Sequence, residues 1–244
     1  MNGHVITDIS NGLAVIEFFH PQSNSLPAAI LKQLAEAITA ADEDPEVRLI
    51  VLKSKGEKAF CAGASFDELK MISNEEEGKN FFMGFARVIN AMRKASKFII
   101  GRVQGKCVGG GVGMAASVDI CFATTAADVK LSELAVGIGP FVVGPAVERK
   151  IGLSAFSQLA IQATEWKSAE WARSHGLFAG LYPDMQELDL AIDKLAHTLL
   201  QSNPDAMKEM KKVFWQGTEH WEQLLPERAA ISGKLVLRFG EYVK

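Results

Sequence analysis

The stretch Phe98-Ile-Ile-Gly-Arg-Val-Gln-Gly-Lys-Cys-Val-Gly-Gly-Gly-Val-Gly113 joins a short apolar run to a turn of consecutive glycines. The run Phe98–Val103 is typical of a strand that is buried on both of its faces. The apolar residues that follow Gly111 predict a helix, so the glycines lie where a buried strand passes into a helix. This passage favours an α/β fold whose strands pair largely in parallel.

A second passage of the same kind lies upstream. Val47–Leu52 is nearly all apolar and predicts another buried strand, which leads into the small-residue turn Ala59-Phe-Cys-Ala-Gly-Ala64. Downstream, Ile120–Ala123 and Val129–Leu131 predict two further short strands. Between these passages, large apolar residues recur at helical spacing in the segment 75–95 and predict a helix packed on the core.

The two ends of the chain differ in character. Asn11-Gly12 separates two β-rich runs and predicts an N-terminal hairpin, and a helix is expected from about Pro27. After about Leu153 the β patterns stop, so the chain divides into an α/β core and a helical C-terminal part. The helices predicted there lie at 153–163, 168–175, 186–201, 204–215 and 218–238.

The composition argues against nucleic-acid and membrane partners. The 244 residues are 48% hydrophobic and 23% charged, and the net charge of −3 supplies no electrostatic footprint for nucleic acid. Lys208, Lys211 and Lys212 are interpreted as the solvated face of a helix. No apolar run reaches the ~20 residues that a membrane helix needs.

The cysteines and the N-terminus indicate the compartment in which the protein works. Cys61, Cys107 and Cys121 have no metal-ligand spacing and are interpreted as small core residues in a reducing compartment. The N-terminal residues lack the basic and apolar regions of a signal peptide. We therefore expect a cytoplasmic protein without a metal site.

The two small-residue turns, Cys61–Ala64 and Gly109–Gly111, are candidates for a site that holds developing negative charge. Free main-chain N–H groups at a helix start attract negative charge, and missing side chains let a ligand approach closely. Two such turns that face each other would make an oxyanion hole, a pair of fixed donors aimed at a carbonyl oxygen. The alternative is that the glycines only allow tight packing between strands and helices.

Glu133 is the candidate for acid/base chemistry because apolar residues and glycines flank it. Partial burial would raise the pKa of its carboxyl towards neutrality, as a general acid/base near pH 7 requires. The alternative is a structural glutamate that caps a turn or pairs with Lys130 or Arg149. Asp119 is expected to be a structural hydrogen-bonding residue, and Ser65 lacks the His and Asp context of a catalytic triad.

Four motifs resemble the crotonase (enoyl-CoA hydratase/isomerase) superfamily, in the same order and spacing over nearly the whole chain. They are the early loop His20-Pro-Gln-Ser-Asn-Ser-Leu26, the turn Phe60-Cys-Ala-Gly-Ala64, the glycine-rich helix from Gly105 to Ile120, and Ser168-Ala-Glu-Trp-Ala-Arg-Ser-His-Gly-Leu177. The resemblance implies a spiral of strand–strand–helix turns over residues 1–190. It also implies a helical C-terminal region over 191–244 that serves oligomerisation, and a homotrimer or homohexamer.

The resemblance further implies roles for particular residues. The main-chain N–H groups of Ala64 and Gly110 would hold the carbonyl oxygen of an acyl-coenzyme A thioester, while Glu133 would move a proton. Coenzyme A would enter as part of the substrate, so no separate cofactor is expected. The residues expected along its path are Pro21, Asn24 and Leu26 of the early loop and Ala62, Gly63, Ser65 and Asp67 of the following segment.

Departures from the family pattern bear on the reaction. Hydratases of this family hold a water between two glutamates, and here one position is Glu133 while the other is Gly113, which has no side chain. Past Pro140, where some members place another carboxylate, this chain has Phe141-Val-Val143. A single carboxylate suffices for a 1,3-proton shift, whereas adding water ordinarily needs a second group. The sequence thus favours an enoyl-CoA isomerase.

Several alternatives stay open at this point. A hydratase that uses Glu133 alone or with a carboxylate from elsewhere in the fold, a decarboxylase or C–C lyase, and a non-catalytic acyl-CoA-binding scaffold all fit the same motifs. The acyl group itself has no assigned surroundings, because four aromatic residues could equally line its tunnel or belong to the core. These aromatic residues are Phe81, Phe85, Phe141 and Trp166.

Overall fold

The computed structural model describes residues 3–238, so Phe239–Lys244 of the predicted C-terminal region lie outside the described residues. The strands are β1 (His4–Ser10), β2 (Leu13–Phe19), β3 (Ser25–Leu26), β4 (Leu49–Ser54), β5 (Ala59–Cys61), β6 (Gly63–Ala64), β7 (Phe98–Val103), β8 (Lys106–Val108), β9 (Ile120–Thr124), β10 (Val129–Lys130) and β11 (Gly180–Tyr182). The helices are α1 (Ala28–Glu43), α2 (Phe66–Met71), α3 (Glu75–Lys94), α4 (Gly110–Ser117), α5 (Gly144–Ile161), α6 (Ala169–Ser174), α7 (Met185–Leu200), α8 (Pro204–Phe214) and α9 (Trp221–Val236). A short 3-10 helix spans Leu134–Val136.

The strands form one large and two small sheets. The six-stranded sheet has the order β1-β2-β4-β7-β9-β11, in which only β1 and β2 pair antiparallel. The small sheets, β10-β8-β5 and β3-β6, are parallel. Four times the chain runs from the large sheet into a small sheet and then a helix: β2, β3, α1; β4, β5 and β6, then α2; β7, β8, α4; and β9, β10, α5. This is the predicted spiral of strand–strand–helix turns.

The predicted N-terminal hairpin is confirmed. His4 of β1 lies opposite Phe19 of β2, and Ser10 lies opposite Leu13. The two residues between the strands, Asn11 and Gly12, have φ values of +50° and +84°. Two successive positive φ values define the tight turn that matches the twist of paired strands, and the sequence Asn-Gly suits it best.

Helix α3 buries the apolar stripe predicted for it, and α9 packs along the same helix. Phe85, Val88, Ile89 and Met92 of α3 are buried in the main core. The closest approach of the two helices is at Gly78 and Gly233, where a Cβ atom on Gly78 would lie 2.6 Å from the Cα of Gly233. The last described helix therefore covers α3 of its own chain.

The prediction that β structure ends near Leu153 is wrong. Residues Gly180–Tyr182 form β11, which pairs in parallel with β9 at the edge of the large sheet. A strand of three residues is too short to show an alternating pattern in the sequence. It forms here because its main chain hydrogen-bonds to the free edge of β9. The helix predicted at 153–163 also begins earlier, at Gly144, and Gly152 interrupts its helical geometry.

The interpretation of Lys211 as a solvated residue is wrong as well. Its side chain is 2% exposed, and its Nζ donates 2.8 Å hydrogen bonds to Asp119 Oδ2 and to the carbonyl of Lys97. Asp119 also accepts from the indole N–H of Trp215 and the amide of Ile99, which confirms its structural role. Burial lowers the pKa of Lys211 while Asp119 raises it. A partner 92 residues away could not be seen in the local charge pattern.

Two smaller expectations can be compared with the structure. The three cysteines are free thiols, and all of them are buried as predicted. Within residues 3–238, no helix combines the length and the apolar character needed to cross a bilayer.

Candidate active site

The two small-residue turns lie against each other. Strands β5 and β8 are parallel neighbours, so the turns that follow them emerge at the same edge of the small sheet. A Cβ atom placed on Gly111 would lie 2.4 Å from the carbonyl oxygen of Cys61, and one placed on Gly63 would lie 3.9 Å from the amide nitrogen of Gly110. The packing explanation for the glycines is therefore correct, and the same packing brings the two turns together.

Helix α4 begins inside the second turn and leaves main-chain donors there. Gly110 and Gly111 are its first two residues, whose N–H groups have no acceptor within a helix. Gly109 adopts a φ of +52°, and its own N–H is bonded to the carbonyl of Lys130 at 2.9 Å. The ring of Phe85 covers Gly110, since a Cβ atom there would lie 2.2 Å from the ring. Position 110 thus tolerates no side chain.

The early loop is bonded to the first turn through β3 and β6. Ser25 lies opposite Gly63 and Leu26 opposite Ala64. The side chain of Asn24 is buried and donates to the carbonyls of Lys55 and Ala59 at 2.9 and 3.0 Å. Asn24 and Leu26, both buried, therefore hold the loop in place with their side chains.

The remaining residues predicted along the coenzyme A path lie at the outer end of these segments. Ser65 is the N-cap of α2, where its hydroxyl accepts from the amide of Glu68. Asp67 is exposed and accepts a hydrogen bond from Gln22 at 3.1 Å. Pro21 is exposed as well and lines a surface groove together with Lys58. The structure thus brings the two predicted segments side by side.

A cavity of about 150 Å³ opens between the two turns, α2, α3, α9 and the start of α5. The sequence-predicted residues in its wall are Ala62, Gly63, Ala64, Gly110 and Glu133. The other wall residues are Phe66, Leu69, Phe81, Phe82, Phe85, Val108, Gly109, Ser132, Val136, Ile138, Gly139, Pro140, Phe141, Val142, Val143 and Ser232. Among the described residues, Glu133 is the only ionisable side chain of the wall, and no group of three His, Cys, Asp or Glu side chains anywhere in residues 3–238 could hold a metal ion.

Glu133 projects its carboxylate towards the glycine turn. Its Oε2 is buried and has no hydrogen-bond partner within the described part of the chain, and a Cβ atom on Gly109 would lie 2.9 Å from its Oε1. Burial raises the pKa of Glu133 to about 7, and a hydrogen bond from its own main-chain amide opposes part of that rise. A carboxyl with this pKa can both accept and return a proton near neutral pH.

The side chain of Glu133 takes neither structural role that the sequence left open. Glu133 stands at the N-cap of the 3-10 helix Leu134–Val136, but its side chain forms no capping hydrogen bond there. The ammonium of Lys130 lies over the ring of Trp166, 4.5 Å from its centroid, and the guanidinium of Arg149 lies over Trp215 at 4.7 Å. Neither cation forms an ion pair with Glu133. A buried carboxylate without an ion pair costs stability, which is typical of a functional group rather than of a structural one.

Position 113, where the resemblance to hydratases would place a second glutamate, is closed by an apolar contact. A Cβ atom on Gly113 would lie 2.5 Å from Cγ1 and 2.8 Å from Cβ of Val143. Val143 itself belongs to the cavity wall and is buried. An apolar side chain thus fills the space into which a side chain at position 113 would extend.

The aromatic candidates separate into two groups. Phe81, Phe85 and Phe141 lie in the cavity wall, whereas Trp166 does not. Trp166 is 40% exposed and carries the ammonium groups of Lys106 and Lys130 over its ring, so its candidacy for the acyl tunnel is wrong.

Sequence reasoning missed some of the wall residues. Val136 and Ile138 follow Glu133 closely, and their proximity to it in the chain was the available signal. Ser232 comes from α9, about a hundred residues downstream of Glu133, and no local pattern marks it. Its position depends on the packing of α9 against α3.

Comparison with known proteins places the chain in a family. The sequence model described as "Enoyl-CoA hydratase/isomerase" matches residues 8–234. The human mitochondrial methylglutaconyl-CoA hydratase is 32% identical over 200 residues, which are 80% of this chain and 58% of that protein. The chain therefore spans less than two thirds of the length of that relative. The short-chain-enoyl-CoA hydratase of Clostridium acetobutylicum is 29% identical over 218 residues, covering 88% of this chain and 82% of that protein.

A solved structure shows the same fold. The enoyl-CoA hydratase of Bacillus halodurans superimposes with a TM-score of 0.87 at 22% identity, over 95% of this chain and 94% of the other. The spiral core and the helical C-terminal part predicted from the sequence are thus confirmed. With the match over residues 8–234, these likenesses establish that the chain belongs to the enoyl-CoA hydratase/isomerase family, within the crotonase superfamily.

Proposed function

We propose that the protein is an enoyl-CoA isomerase that moves a double bond of an acyl-CoA thioester from C3 to C2 with Glu133. The contact between Gly113 and Val143 carries this proposal. Because Val143 fills that space, Glu133 is the single ionisable group of the cavity wall among the described residues. A 1,3-proton shift needs one such group, whereas water addition ordinarily needs a second one to orient the water.

The proposed reaction has two proton transfers. The Glu133 carboxylate takes a proton from C2 of the 3-enoyl thioester, and the electron pair of that C–H bond spreads over a dienolate with negative charge on the thioester oxygen. The protonated carboxyl then returns the proton to C4, which leaves the double bond between C2 and C3. The raised pKa of Glu133, about 7, makes both transfers feasible at neutral pH.

The thioester oxygen would accept hydrogen bonds from the main-chain N–H groups of Ala64 and Gly110. Support comes from the convergence of the two turns and from the position of Gly110 as the first residue of α4. Fixed donors of this kind stabilise the charge that develops in the transition state, and loss of one typically raises the barrier by ~3 kcal/mol. Coenzyme A would run along Pro21–Leu26 and Ala62–Asp67, and no other cofactor would take part.

Hydration of 2-enoyl-CoA is the second candidate, because the two relatives compared above carry the name hydratase. In that reaction Glu133 alone would activate a water.

A scaffold that only binds acyl-CoA is the third candidate. The buried carboxylate of Glu133, which has no ion pair and whose Oε2 has no hydrogen-bond partner in the described part of the chain, argues against it. Binding alone gives no reason to keep a group whose burial costs stability.

A paired assay separates these candidates. Purified protein and its Glu133→Gln variant are given 3-hexenoyl-CoA and 2-hexenoyl-CoA, and isomerisation and hydration are followed separately. The proposal predicts isomerisation at least tenfold faster than hydration, and a loss of at least a thousandfold in the variant. Faster hydration would support the hydratase, and binding of both thioesters without turnover would support the scaffold.

We further propose that the chain works in the cytoplasm as a homotrimer or homohexamer. Large apolar side chains on α5 and α8 support an assembly: Leu153, Ile161 and Val213 are each more than 60% exposed. Sedimentation should then give three or six times the chain mass of 26.5 kDa. A monomer at micromolar concentration would contradict this.

A further inference from the structure

We infer that the acyl site selects a short, uncharged aliphatic acyl group of up to about six carbons and discriminates against acyl groups that end in a carboxylate. The inference rests on the proposed function, because it assigns the acyl group of the substrate to the cavity beside Glu133. It follows from what the cavity wall contains, which charges lie around it, and how large it is.

The wall supplies no positive charge. No Lys, Arg or His belongs to it among the described residues. Its surface beyond the two turns is mostly apolar, as at Leu69, Phe81 and Ile138, and Ser132 and Ser232 are its polar residues besides Glu133. A carboxylate moved from water into such surroundings loses its hydration without gaining an ion pair, which is among the most costly burials.

Two cations close to wall residues in the chain, Lys70 and Lys130, are engaged outside the cavity. Lys70 lies over the outer ring of Phe66, 4.6 Å from its centroid, and does not belong to the wall. Lys130, three residues before Glu133, lies over Trp166 outside the cavity. The hydroxyl of Ser232, which does reach the wall, donates to the carbonyl of Arg228 within its own helix.

Glu133 adds repulsion to this desolvation. Its carboxylate lies in the same cavity and must be ionised to accept a proton. A second carboxylate at the far end of a short acyl chain would face this charge across a medium of low polarity, where like charges repel strongly. Binding of a carboxylated acyl group would also keep Glu133 protonated and therefore inactive as a base.

The volume of the cavity limits the length of the acyl group that it can bury. An apolar protein cavity of about 150 Å³ accommodates benzene, a six-carbon molecule, and the cavity beside Glu133 has about that volume. Phe81, Phe82 and Phe141 bound it, with Phe81 and Phe82 edge to face at 5.1 Å. Methylene groups beyond this length would lie outside the apolar wall and gain no further burial.

Saturated thioesters test the inference apart from turnover. Dissociation constants of butyryl-, pentanoyl-, hexanoyl-, octanoyl- and decanoyl-CoA are measured by calorimetry beside that of glutaryl-CoA, which has the length of pentanoyl-CoA and a terminal carboxylate. We expect affinity to rise about fourfold per methylene up to hexanoyl-CoA and then to level off. We expect pentanoyl-CoA to bind at least tenfold more tightly than glutaryl-CoA.

Two variants that add the same charge at different places provide the control. Phe81→Lys puts an ammonium at the wall. It should lower the ratio of the glutaryl-CoA to the pentanoyl-CoA dissociation constant at least fivefold. Met71→Lys adds an ammonium at a side chain that is 79% exposed and lies outside the wall, and should leave this ratio of dissociation constants unchanged. Equal affinities in the unmodified protein, or a rise continuing to decanoyl-CoA, would overturn the inference while leaving the isomerase proposal intact. Failure of every acyl-CoA to bind would instead remove the proposed function itself.

Discussion

Val143 occupies the space into which a side chain at position 113 would extend. Its Cγ1 would lie 2.5 Å from a Cβ atom placed on Gly113. Val143 and Glu133 line the same cavity. The contact between Gly113 and Val143 joins the first turn of α5 to the middle of α4, two helices that pack closely along this region. Because the contact leaves no room for a carboxylate at position 113, it carries the proposal that the reaction uses Glu133 alone.

Restoring a second carboxylate should introduce hydration. The double variant Gly113→Glu/Val143→Gly removes both clashing atoms and adds a carboxylate at position 113. We expect its rate of 2-enoyl-CoA hydration to exceed that of Val143→Gly alone at least tenfold. Gly113→Glu without the second change should be destabilised, because the new side chain would overpack the α4–α5 contact. Equal hydration rates in the double variant and in Val143→Gly would show that the missing carboxylate does not limit this reaction.

The pH dependence should report the burial of Glu133. The base must be ionised to take a proton, and burial raises its pKa to about 7. The value of kcat/KM for isomerisation should therefore fall about tenfold per pH unit below pH 7 and level off above it. Stopped assays between pH 5 and 8.5, where thioesters survive, measure this. A flat profile down to pH 5 would mean that the carboxyl titrates at its ordinary value and is not the buried group described here.

A side chain at position 109 should impair catalysis, because it would contact the carboxylate of Glu133. A methyl group there would lie 2.9 Å from Glu133 Oε1, so Gly109→Ala should displace the base and lower kcat at least thirtyfold. Gly56→Ala is the matched control, because Gly56 also has a positive φ but a methyl group placed on it would have no atom within 4 Å. Both variants should lose ~1 kcal/mol of stability from the strained backbone. Similar activities of the two variants would contradict the role of the contact.

The buried ion pair should hold the C-terminal helices to the core. Lys211→Met removes the partner of Asp119 and leaves a buried carboxylate, which should lower the free energy of unfolding by ~3 kcal/mol. Lys212→Met changes the neighbouring residue, which is exposed and pairs with Glu209 on the surface, and should cost less than ~0.5 kcal/mol. Urea denaturation measures both. A loss in Lys211→Met no larger than that of its neighbour would show that the pair contributes nothing net.

Local chemistry explains what the sequence could predict. The Asn11-Gly12 hairpin and the buried strand Phe98–Val103 depend on short-range rules, and the structure has both of them. The burial of Glu133 was predicted from its apolar flanks for the same reason. These features needed no knowledge of distant contacts. The predicted turn at Cys61–Ala64 instead contains the end of β5 and the two-residue strand β6, which pairs with the distant β3.

Long-range packing explains what the sequence could not. Lys211 is buried because Asp119 lies across the core, and β11 forms because β9 has a free edge. Ser232 reaches the cavity only through the packing of α9 on α3. Trp166 carries two lysines on the surface instead of lining the cavity, which composition alone cannot reveal.

The central claim, that one buried carboxylate carries the proton from C2 to C4, is tested most directly by isotope transfer. 3-Hexenoyl-CoA with two deuterium atoms at C2 is converted in ordinary water, and the early product is analysed by mass spectrometry and NMR. Because Glu133 Oε2 is buried and has no hydrogen-bond partner in the described structure, the account predicts that a measurable fraction of the product carries deuterium at C4. Complete absence of deuterium at C4, even in a single turnover, would contradict it, because solvent or a second group would then supply that proton.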